Sequence, residues 1–195
     1  GTDTWAFDES TFVWNIWYFK HALLDLHVSP LHSELIWLPL GIDLILFTYN
    51  FFNALIGMPL LLAFNAPVAS NATVILASVL SALGASLLVH YVLGRALPRA
   101  SADHLRLAGL IGGIIYAFAS NRAIYAALGH YDMVTTQWLP FYALYFLRTL
   151  HRPRLKDAAM AGLFFALAAL AEMIFASFLA LFSAVLLLAS WRGMA

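Results

Sequence analysis

A chain of 195 residues that is 63% hydrophobic and 10% charged, with mean hydropathy +0.84, is far from a soluble domain, which is roughly 45–50% apolar and about 25% charged. The composition is that of an integral membrane protein. Ten Lys and Arg balance ten Asp and Glu, and there is no cysteine; this excludes the basic footprint of a nucleic-acid partner, disulfides, thiolate nucleophiles and zinc–cysteine sites, and disorder and fibrous repeats are excluded as well.

The chain opens at Gly1 without a Met or a charged-then-apolar leader and stops at Ala195 after an apolar run; we expect a piece of a longer protein. Residues 1 to 41 hold four of the six tryptophans, Trp5, Trp14, Trp17 and Trp37, a residue that prefers the headgroup level of a bilayer. From Ser10 to Leu26, Phe12, Ile16, Phe19, Leu23 and Leu26 recur at steps of 4, 3, 4 and 3. That is one apolar stripe at helical period and predicts an amphipathic, surface-lying helix.

Charge-free stretches locate the bilayer, because a charge at a helix centre costs about 2.5–3.5 kcal/mol on insertion scales. They run over 44–94, 107–121, 133–147, 158–171 and 173–191. The first is too long for one span of about 20 residues. Its Phe64-Asn65-Ala66-Pro67-Val68-Ala69-Ser70-Asn71 interrupts it, with Ser70 or Asn71 as the cap of the next helix. This splits it into an apolar segment at 44–64 and a span at 71–94. Glu172 separates the last two stretches, and a single straight helix over 158–191 would be about 50 Å long against a bilayer core of about 30 Å, so two short spans are expected.

Orientation follows the cations. Arg95, Arg99 and Arg106 flank one connection, Arg148, Arg152, Arg154 and Lys156 another, and Arg192 follows the last span, eight cations of ten. These loops are expected to be cytoplasmic. Eight of the ten acids, Asp3, Asp8, Glu9, Asp25, Glu34, Asp43, Asp132 and Glu172, fall outside them. The expected architecture is therefore all-α and polytopic: a multi-pass protein of the cell (inner) membrane with about five transmembrane helices. Residues 1–69 form an interfacial segment on the outer face and 70–195 a helical bundle. On this scheme 44–64 lies in the interface, dips in and returns, or breaks the pattern by spanning; Gly57 and Pro59 suit a non-spanning element, with its backbone shielded by protein.

Few side chains offer chemistry. Asp3, Asp8 and Glu9 precede the first helix at the water–lipid boundary, where a carboxylate meets a lipid-borne phosphate. Asp8 also suits an N-cap and Glu9 the positive end of the helix dipole, and a cap leaves one carboxylate oxygen free as base or metal ligand. His130-Tyr131-Asp132 in the second outer loop is the other polar group able to converge on Asp8, or else a cap and interface anchor. Glu172 stands either at a turn or deep and partnered. His21, His27 and His32, spaced by six and five, put no pair on one helical face. Gly109, Gly112 and Gly113 with Ala108 form a small-residue face that permits close helix approach. Asn71-Ala72-Thr73 matches a glycosylation acceptor but also suits a cap at a membrane edge. There is no phosphate-cradling loop and no serine elbow.

Asp8-Glu9-Ser10-Thr11-Phe12-Val13-Trp14-Asn15-Ile16-Trp17, then Ser29-Pro30-Leu31, then Pro39-Leu40-Gly41-Ile42-Asp43-Leu44 resemble the N-terminal part of bacterial polytopic proteins of the GT-C glycosyltransferase type. Phe118-Ala119-Ser120-Asn121 and Gly129-His130, followed by an apolar run with Pro140, are similar to that group's second outer loop. The resemblance covers nearly the whole chain, though such enzymes are about three times as long and their acid is followed by Pro or Ser first, where Glu9 stands here. It implies transfer of a sugar from a polyprenyl-phosphate donor at the outer face. The family's catalytic acid falls on Asp8, with Glu9, His130, Asp132 and Glu172 as candidates to orient phosphate, substrate or a divalent cation. The alternative is a non-catalytic accessory subunit of a respiratory, photosynthetic or transport assembly, bound to other membrane subunits; it puts Phe141, Tyr142, Tyr145 and Phe146 against another chain or pigment. A transporter is less supported, since charges are nearly absent from the spans.

Overall fold

A computed structural model describes residues 9–46 and 50–192. It is all-helical, 79% helix and 2% strand. Among the described residues three helical stretches are long and apolar enough to cross a membrane: Ala66–Ala96, Ala102–Ala127, which is interrupted at residues 118–119, and Met173–Ser190. The chain divides into two compact units, residues 1–76 with 121–134, and 77–120 with 135–195.

In the first unit, α1 (Glu9–Lys20) continues as a π-helical segment, His21–Leu26. The apolar stripe expected to lie on the membrane surface is instead turned into protein: Phe12, Ile16 and Phe19 are 3%, 4% and 2% exposed. Ile16 and Phe19 pack with Ala54 of α2 (Phe51–Ala63) and Ala69 of α3 (Ala66–Ala96). A second side of the helix is buried too, where Tyr18 and Ala22 meet Leu44. The helix is therefore core on two faces, each large apolar side chain so buried contributing roughly 1.5–3 kcal/mol. A period-of-four stripe reports that a face is buried; it does not report whether lipid or protein covers it.

Between them, His32–Ser33 pairs antiparallel with Ile42–Asp43. A 3-10 turn, Leu44–Leu46, follows. Helix α2 is capped by Asn50, whose side-chain oxygen accepts from the Asn53 N–H at 3.3 Å. Its thirteen residues rise about 20 Å, short of a bilayer core of about 30 Å. Close approach to α1 falls at Gly57, where a Cβ would lie 3.1 Å from Ile16 Cδ1.

Helix α3 starts at Ala66, five residues before the expected 71. The cap is Asn65, whose Oδ1 accepts from the Val68 N–H at 3.0 Å, and not Ser70 or Asn71. Pro67 then falls in the first turn, where its missing N–H has no partner to lose. Asn65→Ala is expected to cost about 1 kcal/mol, visible as a lower melting midpoint, while Asn71→Ala leaves it unchanged.

In the second unit α3 meets α4 (Ala102–Ala117), which Ser101 caps by accepting from the His104 N–H at 3.3 Å. The small-residue face of α4 lies on α3 itself. A Cβ on Gly113 would stand 2.2 Å from Ser86 Oγ and 2.4 Å from the Ala82 carbonyl oxygen, and one on Gly109 2.8 Å from the Ser86 carbonyl oxygen. After α5 (Ser120–Ala127) and the short α6 (Tyr131–Val134), helices α7 (Trp138–His151), α8 (Leu155–Ala171) and α9 (Met173–Arg192) follow. Tyr142, Ala161, Ala168 and Leu179 form their shared core, and Tyr142 Oη hydrogen-bonds Ser183 Oγ. Helices α7 and α8 have 14 and 17 residues, rising about 21 and 25 Å. They fill two of the five stretches expected to span but are shorter than a standard crossing.

Candidate functional site

The acid at the head of α1 and residues 129–131 meet in the first unit. Tyr131 Oη donates to Glu9 Oε1 at 3.2 Å across 122 residues of sequence. Beneath that bond Phe12 packs on the Tyr131 ring, centroids 5.7 Å apart. Gly129 makes the approach possible. It has φ +77°, and a Cβ there would lie 2.6 Å from the Glu9 backbone nitrogen and 2.8 Å from its Cα. Only glycine combines that backbone angle with that separation.

Burial pushes the Tyr131 phenol above its ordinary value of 10.0, and the Glu9 carboxylate beside it pushes the same way. The phenol thus stays a donor through the neutral range. A raised value in the folded state means stability that is fully present below the unfolded phenol's pKa and lost as pH rises through the folded one. The melting midpoint should therefore fall in alkali beyond about pH 10. Tyr131→Phe should flatten that fall and remove a tyrosinate component that titrates above the ordinary range. An unchanged titration in the variant would mean that Tyr131 is not the late group.

The other candidates separate. Asp8, like Asp3, lies outside the described residues. His130 flanks the contact, its ring edge-on to Tyr125 at 5.9 Å and its backbone N–H donating to the Tyr125 carbonyl at 2.9 Å. Asp132 is 7% exposed, and its Oδ1 accepts from the Met133 N–H at 2.8 Å. Glu172 belongs to the second unit, where its extended backbone (φ −161°, ψ 120°) separates α8 from α9. Its Oε1 accepts from the Ile174 N–H at 3.3 Å, so it sits at a helix junction, the turn alternative of the two considered.

Arg122 went unnoticed in the sequence. It is one of the two cations outside the positively charged loops, is 4% exposed, and donates from Nε and Nη2 to the Val134 carbonyl at 3.2 and 2.8 Å. It ties the two ends of the second loop together. The signal was available: Arg122 and Lys20 are the two cations outside the positively charged loops, and a cation buried in such a place is expensive unless it is used.

Two of the three histidines of the first segment pair with carboxylates. His21 Nδ1 lies 2.9 Å from Asp25 Oδ2 and His32 Nδ1 2.8 Å from Asp43 Oδ1. The His21 hydrogen bond, aided by Lys20, holds the Asp25 carboxyl below its usual range. Among the described residues no group of three or more His, Asp and Glu is placed to hold a metal ion, so the donors described do not of themselves assemble a divalent-cation site.

Comparison with known proteins adds no relative: no protein-family profile, curated protein or solved structure matches the chain.

Proposed function

We propose that this chain is the N-terminal membrane portion of a GT-C-like glycosyltransferase acting on a polyprenyl-phosphate-linked sugar at the outer face of the bacterial cell membrane. The observation that carries the reading is the Tyr131–Glu9 hydrogen bond over Gly129. It joins the residue next to Asp8 to the loop that holds His130 and Asp132, which a site shared by two outer loops requires. In this reading Asp8 takes the proton of the acceptor hydroxyl as its oxygen bonds the anomeric carbon, and the bond to the polyprenyl phosphate breaks with its electron pair going to the phosphate oxygen. Glu9, held by the hydrogen bond from the Tyr131 phenol, positions Asp8. His130 orients the departing phosphate, and Arg122 keeps its loop in register. No step is routed through a metal.

The topology proposed with it keeps five crossings, with α7 and α8 as short spans beside the three longer ones, and α1 and α2 on the outer side. Membrane thinning or tilting at α7 and α8 costs fractions of a kcal/mol per Å. The accessory-subunit reading puts Phe141, Tyr142, Tyr145 and Phe146 against another chain. In the second unit all four rings already have partners: Phe141 and Tyr145 on Phe164, Tyr142 on Phe146 and Phe165, and Phe146 on Phe182. That engagement favours the enzymatic reading.

The test is transfer of labelled sugar from polyprenyl-phosphate donors by the native protein and by Asp8→Asn. Loss in the variant alone supports the reading; transfer by both at one rate, or by neither, removes it.

A further inference from the structure

A second polar feature lies in the other unit and plays no part in the reaction just described. Where α3 ends and α7 passes into α8, Tyr91, Arg95, Arg148, Arg152, Arg154 and Asp157 line a cleft of about 450 Å³. Four guanidiniums face one carboxylate. Arg148 is held in place by two rings, its Cζ 5.4 Å from the Tyr91 centroid and 5.3 Å from that of Tyr145, and Tyr91 Oη is fixed 3.0 Å from His151 Nδ1. None of the four arginines forms an ion pair with the carboxylates of the described residues.

A bland account exists for three of them. Arg95 and Arg148 stand in the last turns of α3 and α7, where a cation suits the helix dipole. It reaches Arg152, the C-cap of α7, but not Arg154, which stands at the N-terminal end of α8, where the dipole disfavours a cation. Arg154 also occupies the cap position of α8 without a side-chain cap hydrogen bond. Guanidiniums match phosphate oxygens bidentately, so this is an anion site more than an orientation signal.

Helices α3 and α7 also line, together with α4 and α9, an apolar cleft. Leu88, Val89, Ile115, Leu139, Ala143 and Phe182 are among the residues lining a space of about 640 Å³. Leu88, on the apolar lining, stands seven residues before Arg95, on the same face of α3 and about 10 Å away along its axis. An amphiphile with a phosphate head and an apolar chain fits that sequence of surfaces. We propose that this unit binds an anionic phospholipid, with its phosphate on Arg95, Arg148, Arg152 and Arg154 and an acyl chain in the apolar cleft.

The test uses the whole chain in detergent, titrated with phosphatidic acid, with phosphatidylcholine and with inorganic phosphate, bound lipid being counted by native mass spectrometry. Phosphatidic acid is expected to be retained at least tenfold better than phosphatidylcholine. Arg152→Gln/Arg154→Gln should lower that retention by about tenfold or more. The control Arg99→Gln/Arg106→Gln, which removes equal charge outside the cleft, should change it by less than about twofold. Arg152→Lys/Arg154→Lys, which keeps the charge, should fall between; it serves also if the glutamine variant fails to fold. Equal losses in cleft and control variants would mean diffuse attraction to basic loops and would overturn the proposal. Inorganic phosphate binding as tightly as phosphatidic acid would overturn the lipid assignment, because the apolar cleft would then contribute nothing.

Discussion

Gly129→Ala is expected to separate residues 129–131 from α1, lowering stability by roughly 2–5 kcal/mol and with it any activity that needs the two together. Two costs add. An L-residue held at φ +77° carries about 1–2 kcal/mol of backbone strain. A methyl group 2.6 Å from a backbone nitrogen forces the loop outward, as overpacking does elsewhere at about 1–3 kcal/mol. Neither neighbour is a side-chain tip that could swing away, since the nearest contacts are the N, Cα and Cβ of Glu9. Gly129→Asn separates the terms: asparagine tolerates the left-handed region but still brings a Cβ, so it should recover little. Thermal melting reads the stability, and the tyrosinate titration of Tyr131 reads the contact itself. Its late component should return to the ordinary range in Gly129→Ala. A variant that melts like the parent and keeps its late-titrating tyrosine would show that the loop does not depend on this approach.

The second large effect is on rate. Asp8→Asn should reduce sugar transfer by about 10²–10⁴-fold, the usual contribution of a positioned general base, with the melting midpoint unchanged. The substitution is chosen because asparagine caps a helix as well as aspartate does. If Asp8 is only a cap, the variant folds and works like the parent; if it is the base, the variant folds and fails. Glu9→Gln offers a graded comparison. It keeps an acceptor for the Tyr131 hydroxyl and removes the charge that helps push the phenol upward. It should therefore lose far less activity than Asp8→Asn and bring the Tyr131 titration down.

Much of the helical plan was legible because charge and proline act locally. The cost of placing a charge among apolar residues marks helix ends, which is why Glu172 alone divides α8 from α9, and why the Asn-Ala-Pro stretch breaks α2 from α3. The glycines of α4 were legible as a packing face for the same reason, since a missing side chain permits only a close neighbour. What pattern could not supply was the identity of that neighbour. The stripe of Phe12, Ile16 and Phe19 has the same period whether lipid or α2 lies against it. The start of α3 was misplaced because Asn65, Ser70 and Asn71 all can cap, and only the geometry around Pro67 selects the first. Three long, apolar helices answer to five expected stretches, because a charge-free run sets no lower bound on helix length: α7 begins only at Trp138 although its run begins at residue 133. Of the candidate site, the meeting of the first acid segment with the Gly-His-Tyr-Asp loop could be suggested from chemistry, but Tyr131 as the contact and Gly129 as its condition depend on a backbone angle that no sequence period encodes. Arg122 was overlooked because counting cations for orientation discards the exceptions.

The contact of α4 on α3 has a thermal consequence. Where Gly109 and Gly113 bring backbone to within touching distance of Ser86 and Ala82, few rotamers are frozen and little apolar area is hidden, so its strength comes from dispersion between atoms already in fixed positions. Such a contact carries a small heat-capacity change, whereas the Ile16–Phe19–Ala54 cluster of the other unit, built from large apolar groups, carries a large one. On cooling, the first keeps its grip while the second weakens. Of these two contacts, the one in the unit that holds the candidate site is thus the one whose strength depends more on temperature.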